Sequence, residues 1–304
     1  MGIRLYGTSY FDLQKDKTYI KLLNKAFKKY GINNPISRLS DYKYFKILKK
    51  AEKQIAKDFG CKEACVFSSG YLAGDCIRTY LLEIINKENS KIVYNKNFHP
   101  SWYDEKMIKI SKNNIKRKNL FISNSLNSFF GIKENYLKYI NKFKLIAIDV
   151  SHTAYIWNHK KEVNDNILFF GSLNKASAFP AGFIAGNKKN IKRIRQLAQY
   201  TTSTPPSVAF SSVFLKMKKQ RKKQRKKLYK IMKVMDKLVK KKKSIFPIYN
   251  IGINNDKLYK KFIKANLEIS YMPYPYKISK KYLRIILNSN LEKSNLLRLK
   301  ITKQ

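Results

Sequence analysis

The chain reads as an α/β fold with a mainly parallel sheet, carried by one large domain and a small C-terminal lobe. Three features lead there. Apolar runs of strand length alternate with amphipathic helical stretches, the pattern of strand–helix–strand units rather than of hairpins. The 304 residues are 44 % hydrophobic and 13 % aromatic, enough for a large buried core. No apolar run approaches the length of a membrane-crossing helix, and no internal repeat is visible.

Taken in order, the elements are justified as follows. Ile47, Leu48, Ala51, Ile55 and Phe59 recur at helical spacing and stop at Gly60, so a helix ends there. "ACVFSSGY" (64–71) is a short buried strand entering a Ser-Ser-Gly turn, with a helix following to about Ile85. "KIVYN" (91–95), "NLFIS" (119–123), "KLIAIDV" (144–150), "NILFFGS" (166–172) and "AGFIAG" (181–186) are further strands, and Asn135–Phe143 reads as helical. From about Lys188 a basic helical region runs on, broken by the proline pair of "TTSTPPS" (201–207). After about Ser244 a smaller α/β segment ends in the strand "YLRIILN" (282–288) and a last helix. The expected division is an N-terminal segment over 1–40, a large domain over 41–240 and a small one over 241–304.

Charge and cysteine content narrow the function classes. The 65 Lys+Arg against 19 Asp+Glu give a formal charge of +46, which at first suggests a nucleic-acid partner. The excess is spread along the whole chain, keeps company with abundant Asn, Ile and Tyr, and includes only 10 Arg, the better reader of phosphates and bases. That is the mark of an AT-rich coding sequence, so a nucleic-acid partner is not expected. The one true cluster, "KMKKQRKKQRKKLYK" (216–230), reads as the solvated face of a helix. Cys61, Cys65 and Cys76 make no disulfide framework, and with only His99, His152 and His159 there is no zinc spacing. Thus no metal is expected. The opening "MGIRLYGTSYF" lacks a signal peptide's apolar stretch, and a reducing cytoplasm is the simplest compartment.

The chemistry-bearing residues stand out by their surroundings. In "GSLNKASAFPAGFIAG" (171–186), Lys175 sits among small and apolar residues, with no further charge until Lys188. A lysine starved of water loses its preference for the ammonium form and becomes a nucleophile toward carbonyls. "IAIDVSH" (146–152) sets Asp149 at the end of an apolar strand, where ligands of open α/β sheets bind, with His152 three residues on. "FSSGY" (67–71) places Ser68, Ser69 and Gly70 at a strand-to-helix junction, an anion cradle of backbone N–H groups and hydroxyls. His99 follows another strand in "NFHPSW". Arg284 lies inside an apolar strand, where a guanidinium needs a partner such as a substrate carboxylate. Singly, each has an ordinary alternative: a snorkelling lysine, a satisfied strand-end Asp, a structural His, a common Ser-Gly turn. Together they are the groups that pyridoxal 5′-phosphate (PLP) needs: a phosphate cradle, a ring stacker, an acid for the pyridine nitrogen, an amine and a carboxylate-binding Arg.

With those residues in view the chain resembles the fold type I PLP-dependent enzymes, and within them the α-oxoamine synthase family. The similarity is carried by "YFDL", "KYGINNPISRLSD" (29–41), "AEKQIAKDFGCKEACVFSSGYLAG" (51–74), "NFHPSW", "IAIDVSHTA", "GSLNKASAFPAGFIAG", "TTSTPP" and "YLRIILN", collinear from end to end. The resemblance implies that Lys175 holds the cofactor covalently, that Asp149 pairs with the pyridine nitrogen, that His152 contacts the ring's phenolic oxygen and that His99 stacks on its face. Ser69, Gly70, Tyr71 and Ser172 would bind the phosphate, with Thr202 (or Ser203) reaching the phosphate of a partner subunit in a homodimer. Ser128 would line the ring. Arg284, Ser37 and Arg38 would bind substrate. Departures from the family pattern include "NNPISR" for a Gly-rich "GSGGSR", Ser123-Asn124-Ser125 for His-Asn-Asp, and "VSH" for an acidic-Ala-His. The implied reaction is decarboxylative condensation of an amino acid with an acyl thioester on CoA or acyl-carrier protein. Its first instance is the biotin-pathway, 8-amino-7-oxononanoate-forming branch. An aminotransferase or a glycine C-acetyltransferase is the alternative. A non-catalytic relative that binds nucleic acid through the 216–230 helix is the second.

Overall fold

The computed structural model describes residues 2–32, 38, 45–95, 102, 104–239, 244–273 and 280–301. The chain forms two compact units, Gln14–Asn127 with Glu134–Lys218, and Met1–Leu13 with Ser128–Lys133 and Lys219–Gln304.

The larger unit is built on a seven-stranded sheet: β1 (Glu63–Phe67), β2 (Ile92–Tyr94), β3 (Met107–Lys109), β4 (Leu120–Asn124), β5 (Leu145–Asp149), β6 (Ile167–Ser172) and β7 (Gly182–Gly186), in the order β1-β7-β6-β5-β4-β2-β3. β7 is antiparallel to both of its neighbours, while the pairs β6/β5, β5/β4, β4/β2 and β2/β3 are parallel. The strands are apolar on both faces because both are covered, as parallel sheets require. Ile146, Ile148, Phe169 and Phe183 join Ile55 and Phe59 of α2 (Phe45–Phe59) and Phe214 of α7 (Val208–Lys216) in one core. Leu145, Ala147, Leu168 and Ile184, alternating with them, join Ala73 and Ile77 of α3 (Gly70–Glu88) and Ile191 of α5 (Lys188–Ile194) in the other. Around these lie α1 (Lys17–Tyr30), capped by the Asp16 carboxylate, and α6 (Ala198–Thr201).

The parallel register brings the strand ends to one edge. Asn124 pairs with Asp149, Asp149 with Phe170, and Gly182 with both Ser172 and Phe67. Asp149, Ser172 and the turn after Phe67 therefore share that edge, where the crossover connections of an open α/β sheet leave room for ligands.

One expected element is absent. The stretch 135–143 contains only a 3₁₀ turn, Leu137–Tyr139. The carbonyls of Ile140 and Phe143 accept hydrogen bonds from the Asn166 amide. The Phe143 ring stacks on Phe121 at 5.0 Å, and the Tyr136 hydroxyl is tied to Glu162 at 2.6 Å. Tertiary partners thus take the carbonyls and side chains that an α-helix would have used locally.

The smaller unit has a three-stranded antiparallel sheet of β8 (Ile248–Ile253), β9 (Ser270–Pro273) and β10 (Lys281–Ile286), with β10 in the middle. The N-terminal residues belong to it: Ile286 N–H donates to Leu5 O, Ser289 N–H to Tyr10 O and the Ser289 hydroxyl to Phe11 O. Its helices are α8 (Lys218–Leu238, from Lys219 on), α9 (Asp256–Lys264) and α10 (Lys293–Ile301). Along α8 the buried positions are Arg221, Gln224, Leu228, Met232, Met235 and Asp236, leaving the lysine run on the opposite, solvated face.

Candidate active site

Lys175 projects from the helical turn α4 (Asn174–Ser177), which begins directly after β6. The turn is braced on several sides. The Ser177 hydroxyl donates to Leu173 O, Leu173 N–H donates to Ala181 O at 2.8 Å, and the Tyr19 hydroxyl donates to Ala178 O at 2.5 Å. Ala178 closes it in the left-handed region, φ +49°. Ala176, Ser177, Ala178, Phe179 and Ala181 are all buried, so the lysine stem rises from a dry floor. Burial pushes the amine's pKa below the ordinary lysine value of 10.5, and the charge of Asp149 acts in the opposite direction. Nζ lies 2.7 Å from His152 Nε2. Lys175, His152 and Asp149 thus lie together.

Asp149 ends β5 half-buried. Its Oδ1 accepts the Ser151 N–H at 2.6 Å, and its backbone carbonyl accepts both the N–H and the hydroxyl of Ser125 at 2.9 Å. Across from it, Gly171 adopts φ +142°, which L side chains rarely adopt. A Cβ there would come within 2.7 Å of Asp149 Oδ1 and 2.8 Å of Ser151 N, so the bare Cα is the surface against which the carboxylate packs.

The cradle is the N-terminus of α3. Ser69 caps it by accepting Leu72 N–H at 3.1 Å, and Ala73 N–H goes to Ser69 O. The N–H groups of Gly70 and Tyr71 are the other first-turn donors, with no partner in the helix itself, at the positive end of a 19-residue helix. Gly70 permits close approach of β6: a Cβ at this position would lie 2.6 Å from Ser172 Cβ and 2.8 Å from Ser172 Cα. Ser172 thus stands beside the helix end, while the Tyr71 side chain is exposed.

The Thr202 hydroxyl donates to Ala198 O and the Ser203 hydroxyl to Gln199 O, both at the end of α6. Arg38 donates to Val66 O at 2.7 Å, and its guanidinium carbon lies 4.1 Å from the Tyr200 ring centroid, inside a cluster with Glu52 and Arg195. Ser128 is half-buried in the smaller unit. So is Arg284, whose guanidinium carbon lies 4.9 Å from the Phe129 ring centroid and whose buried Nε has no hydrogen-bond partner among the described residues. His99 and Ser37 lie outside the described residues.

Two polar groupings escaped the sequence reading. Behind Asp149 a buried chain runs from Ser125 to Thr153 (2.7 Å), to His159 Nε2 (3.0 Å), and from His159 Nδ1 to Glu162 (2.6 Å), which also accepts from Tyr136. Nothing in the spacing of these residues marks them. Glu52 accepts Val66 N–H and the Tyr200 hydroxyl and pairs with Arg195, which also holds Glu63. A signal existed there, since a carboxylate at position 52 sits one turn from Leu48 on the apolar stripe of α2. Among the described residues no group of His, Cys, Asp or Glu could hold a metal ion, and no helix is long and apolar enough to cross a membrane.

No protein-family model matches the chain, and no curated protein sequence does. Solved structures match over nearly its whole length. 8-Amino-7-oxononanoate synthase from Francisella tularensis is 17 % identical with TM-score 0.80, the match covering 99 % of this chain and 97 % of that one. Serine palmitoyltransferase from Sphingomonas wittichii is 16 % identical with TM-score 0.78, covering 99 % and 87 %. A serine palmitoyltransferase from S. paucimobilis with a bound PLP–myriocin aldimine is 14 % identical with TM-score 0.79, covering 99 % and 87 %. The chain therefore has the α/β fold of serine palmitoyltransferase and 8-amino-7-oxononanoate synthase.

Proposed function

We propose that the protein is a PLP-dependent acyltransferase of the α-oxoamine synthase kind, joining an amino acid to an acyl thioester with loss of carbon dioxide. The observation that carries this reading is the meeting of a dehydrated lysine, a strand-end carboxylate and a helix-end anion cradle on one sheet edge. The groups fit the cofactor. Gly70 and Tyr71 offer two first-turn N–H donors for a phosphate, Ser172 stands beside them, and Asp149 is a carboxylate suited to a protonated pyridine nitrogen. When bound, PLP supplies an aldehyde that condenses with amines and a ring that takes up the electron pair released at the substrate's Cα.

The chain's own residues do the rest. Lys175, its ammonium form disfavoured by burial, is the amine that would hold the cofactor and, once displaced by substrate, the base that would take the Cα proton onto Nζ. His152 holds that nitrogen in place from 2.7 Å and is the nearby group with which it can exchange a proton. Asp149, oriented by Ser151 N–H, would meet a ring N–H with its carboxylate. In the smaller unit, Arg284, whose Nε has no hydrogen-bond partner among the described residues, would bind the substrate carboxylate. His99, Ser128, Thr202, Ser37 and Arg38 complete the proposed set, with Thr202 acting in a homodimer. The biotin-pathway reaction of alanine with a pimeloyl thioester is the first instance of this reading, and a cytoplasmic setting goes with it.

The test is direct. Purified protein is titrated with PLP, reduced with borohydride and digested, and the modified peptide is mapped. Label at Lys175 is expected, and label on another lysine or none would overturn the proposal. Alanine, serine and glycine are then offered with acyl-CoA and acyl-carrier protein, and carbon dioxide release identifies the substrates.

A further inference from the structure

We infer that Ser151 is a positioning residue, locking the Asp149 carboxylate and the turn that bears Lys175 into a single hydrogen-bonded frame. Its backbone N–H donates to Asp149 Oδ1 at 2.6 Å, and its hydroxyl oxygen accepts the Ser172 N–H at 2.9 Å. Ser172 in turn accepts the Asn174 N–H on its own hydroxyl at 3.2 Å, and Asn174 opens the turn whose next residue is Lys175. The lysine closes the loop through Nζ to His152 Nε2 at 2.7 Å, one residue beyond Ser151. Ser151, Ser172, Asn174, Lys175 and His152 thus form a closed circuit of hydrogen bonds and chain links, with Asp149 tied to it through the Ser151 N–H.

Two observations make the hydroxyl more than a filler. Gly171 presses its bare Cα against this group, for a Cβ there would strike the Ser151 hydroxyl as well as Asp149 Oδ1, at 2.7 Å from the latter. The hydroxyl oxygen therefore has little freedom to leave Ser172. The strand does not offer Ser172 N–H this bond by itself: its acceptor is the Ser151 side chain, so alanine at 151 leaves the donor unmet at the point where β6 passes into the lysine turn. Val150 N–H is fixed separately, on Phe170 O at 2.9 Å, so losing the hydroxyl would uncouple β6's end from Asp149 without unravelling the strands.

The test uses Ser151→Ala and Ser151→Cys; the thiol fills the space, being somewhat larger than the hydroxyl, but accepts hydrogen bonds weakly. In protein without cofactor, exchange of the Ser172 amide proton should quicken by about tenfold in both variants, the equivalent of one lost hydrogen bond, while the Val150 amide keeps its wild-type rate. The second measurement rests on the proposed function. PLP should bind both variants about five- to tenfold more weakly than wild type. The visible band of the bound cofactor should titrate at higher pH, because a ring nitrogen held less firmly by Asp149 withdraws less charge from the nitrogen of Lys175. Wild-type exchange at Ser172, or PLP affinity and band titration equal to wild type in a variant, would each overturn the inference. Failure of wild-type protein to bind PLP overturns the proposed function instead and leaves the exchange measurement to decide on the frame.

Discussion

Gly70→Ala is the sharpest probe of how the cradle is built. A methyl at position 70 would sit 2.6 Å from Ser172 Cβ, 2.8 Å from Ser172 Cα and 3.0 Å from Ser172 N. Ordinary carbon–carbon contact begins at about 3.5 Å, so the helix end and β6 must part by about 1 Å. Two of those three atoms are backbone, which cannot swing aside as a flexible side chain would. Overpacking of this kind costs about 1–3 kcal/mol. The substitution also brings a gain, because alanine is better than glycine in a helix by about 1 kcal/mol, and less at a first-turn position. The clash wins narrowly, and the net loss in stability should be about 1 kcal/mol. The cradle should suffer far more than the fold: a misplacement of about 1 Å between groups that act together costs on the order of a hundredfold. Urea unfolding measures the first quantity and titration of cofactor-free protein with PLP the second. A large drop in affinity with a small drop in stability is expected. Wild-type affinity with wild-type stability would show that Gly70 and Ser172 are not in contact, and the cradle as described would be wrong.

Substitutions at three further positions test charges. At Glu52, alanine should cost about 3–5 kcal/mol, because it strands the Val66 N–H and the Tyr200 hydroxyl and removes a partner of Arg195. Glutamine, which keeps an acceptor for the first two, should cost about 1 kcal/mol; equal losses in urea unfolding would refute this division. Burial raises the Glu52 pKa, so its ionised form is the costly one, and wild-type stability relative to Glu52→Gln should fall as pH rises through the folded-state value. At Lys175 the shift runs the other way, downward. Its folded pKa lies below 10.5, the unfolded chain binds more protons in the window between the two, and wild-type stability relative to Lys175→Met should rise as pH climbs toward 10.5. Asp149→Asn removes the charge that raises the lysine's pKa, so modification of Lys175 by an amine-directed reagent, followed on its peptide, should begin at lower pH than in wild type. A shift to higher pH would contradict that assignment.

What the sequence made legible, and what it hid, follows from where each residue's partners lie. Strands bounded by turn residues could be read directly, and β5 and β6 end where the apolar runs "LIAI" and "ILFF" give way to Asp149 and Gly171-Ser172. Lys175 could be singled out because the absence of other charges around it is itself a local property. Glu52 was readable in principle, as a carboxylate on an apolar helical stripe. The 135–143 stretch misled because its carbonyls are claimed by Asn166, more than twenty residues downstream, and no local pattern records that. The Ser125–Thr153–His159–Glu162 chain was hidden for the same reason, each member looking like an ordinary polar residue until the fold assembles them. Gly171 reads in the sequence as the end of a strand. Only its φ of +142° and its closeness to Asp149 explain why no side chain can stand there.

The same reasoning accounts for a chain that keeps a fold at 14–17 % identity yet matches no family model. The site depends on a few side chains and on backbone geometry: a strand register that aligns Asp149 with Phe170, two bare Cα atoms, and a helix end. Register and close approach constrain position and size, not identity, over most of the surrounding sequence. A coding bias toward lysine can therefore rewrite the solvated faces, as along α8, without touching the sheet edge. Lys175 is the place where the two pressures can be told apart. It is a lysine in a chain full of lysines, but its amine is dehydrated, hydrogen-bonded to His152 and opposed to Asp149. A surface lysine supplied by codon drift has no reason to meet any of those conditions, and this one meets all three.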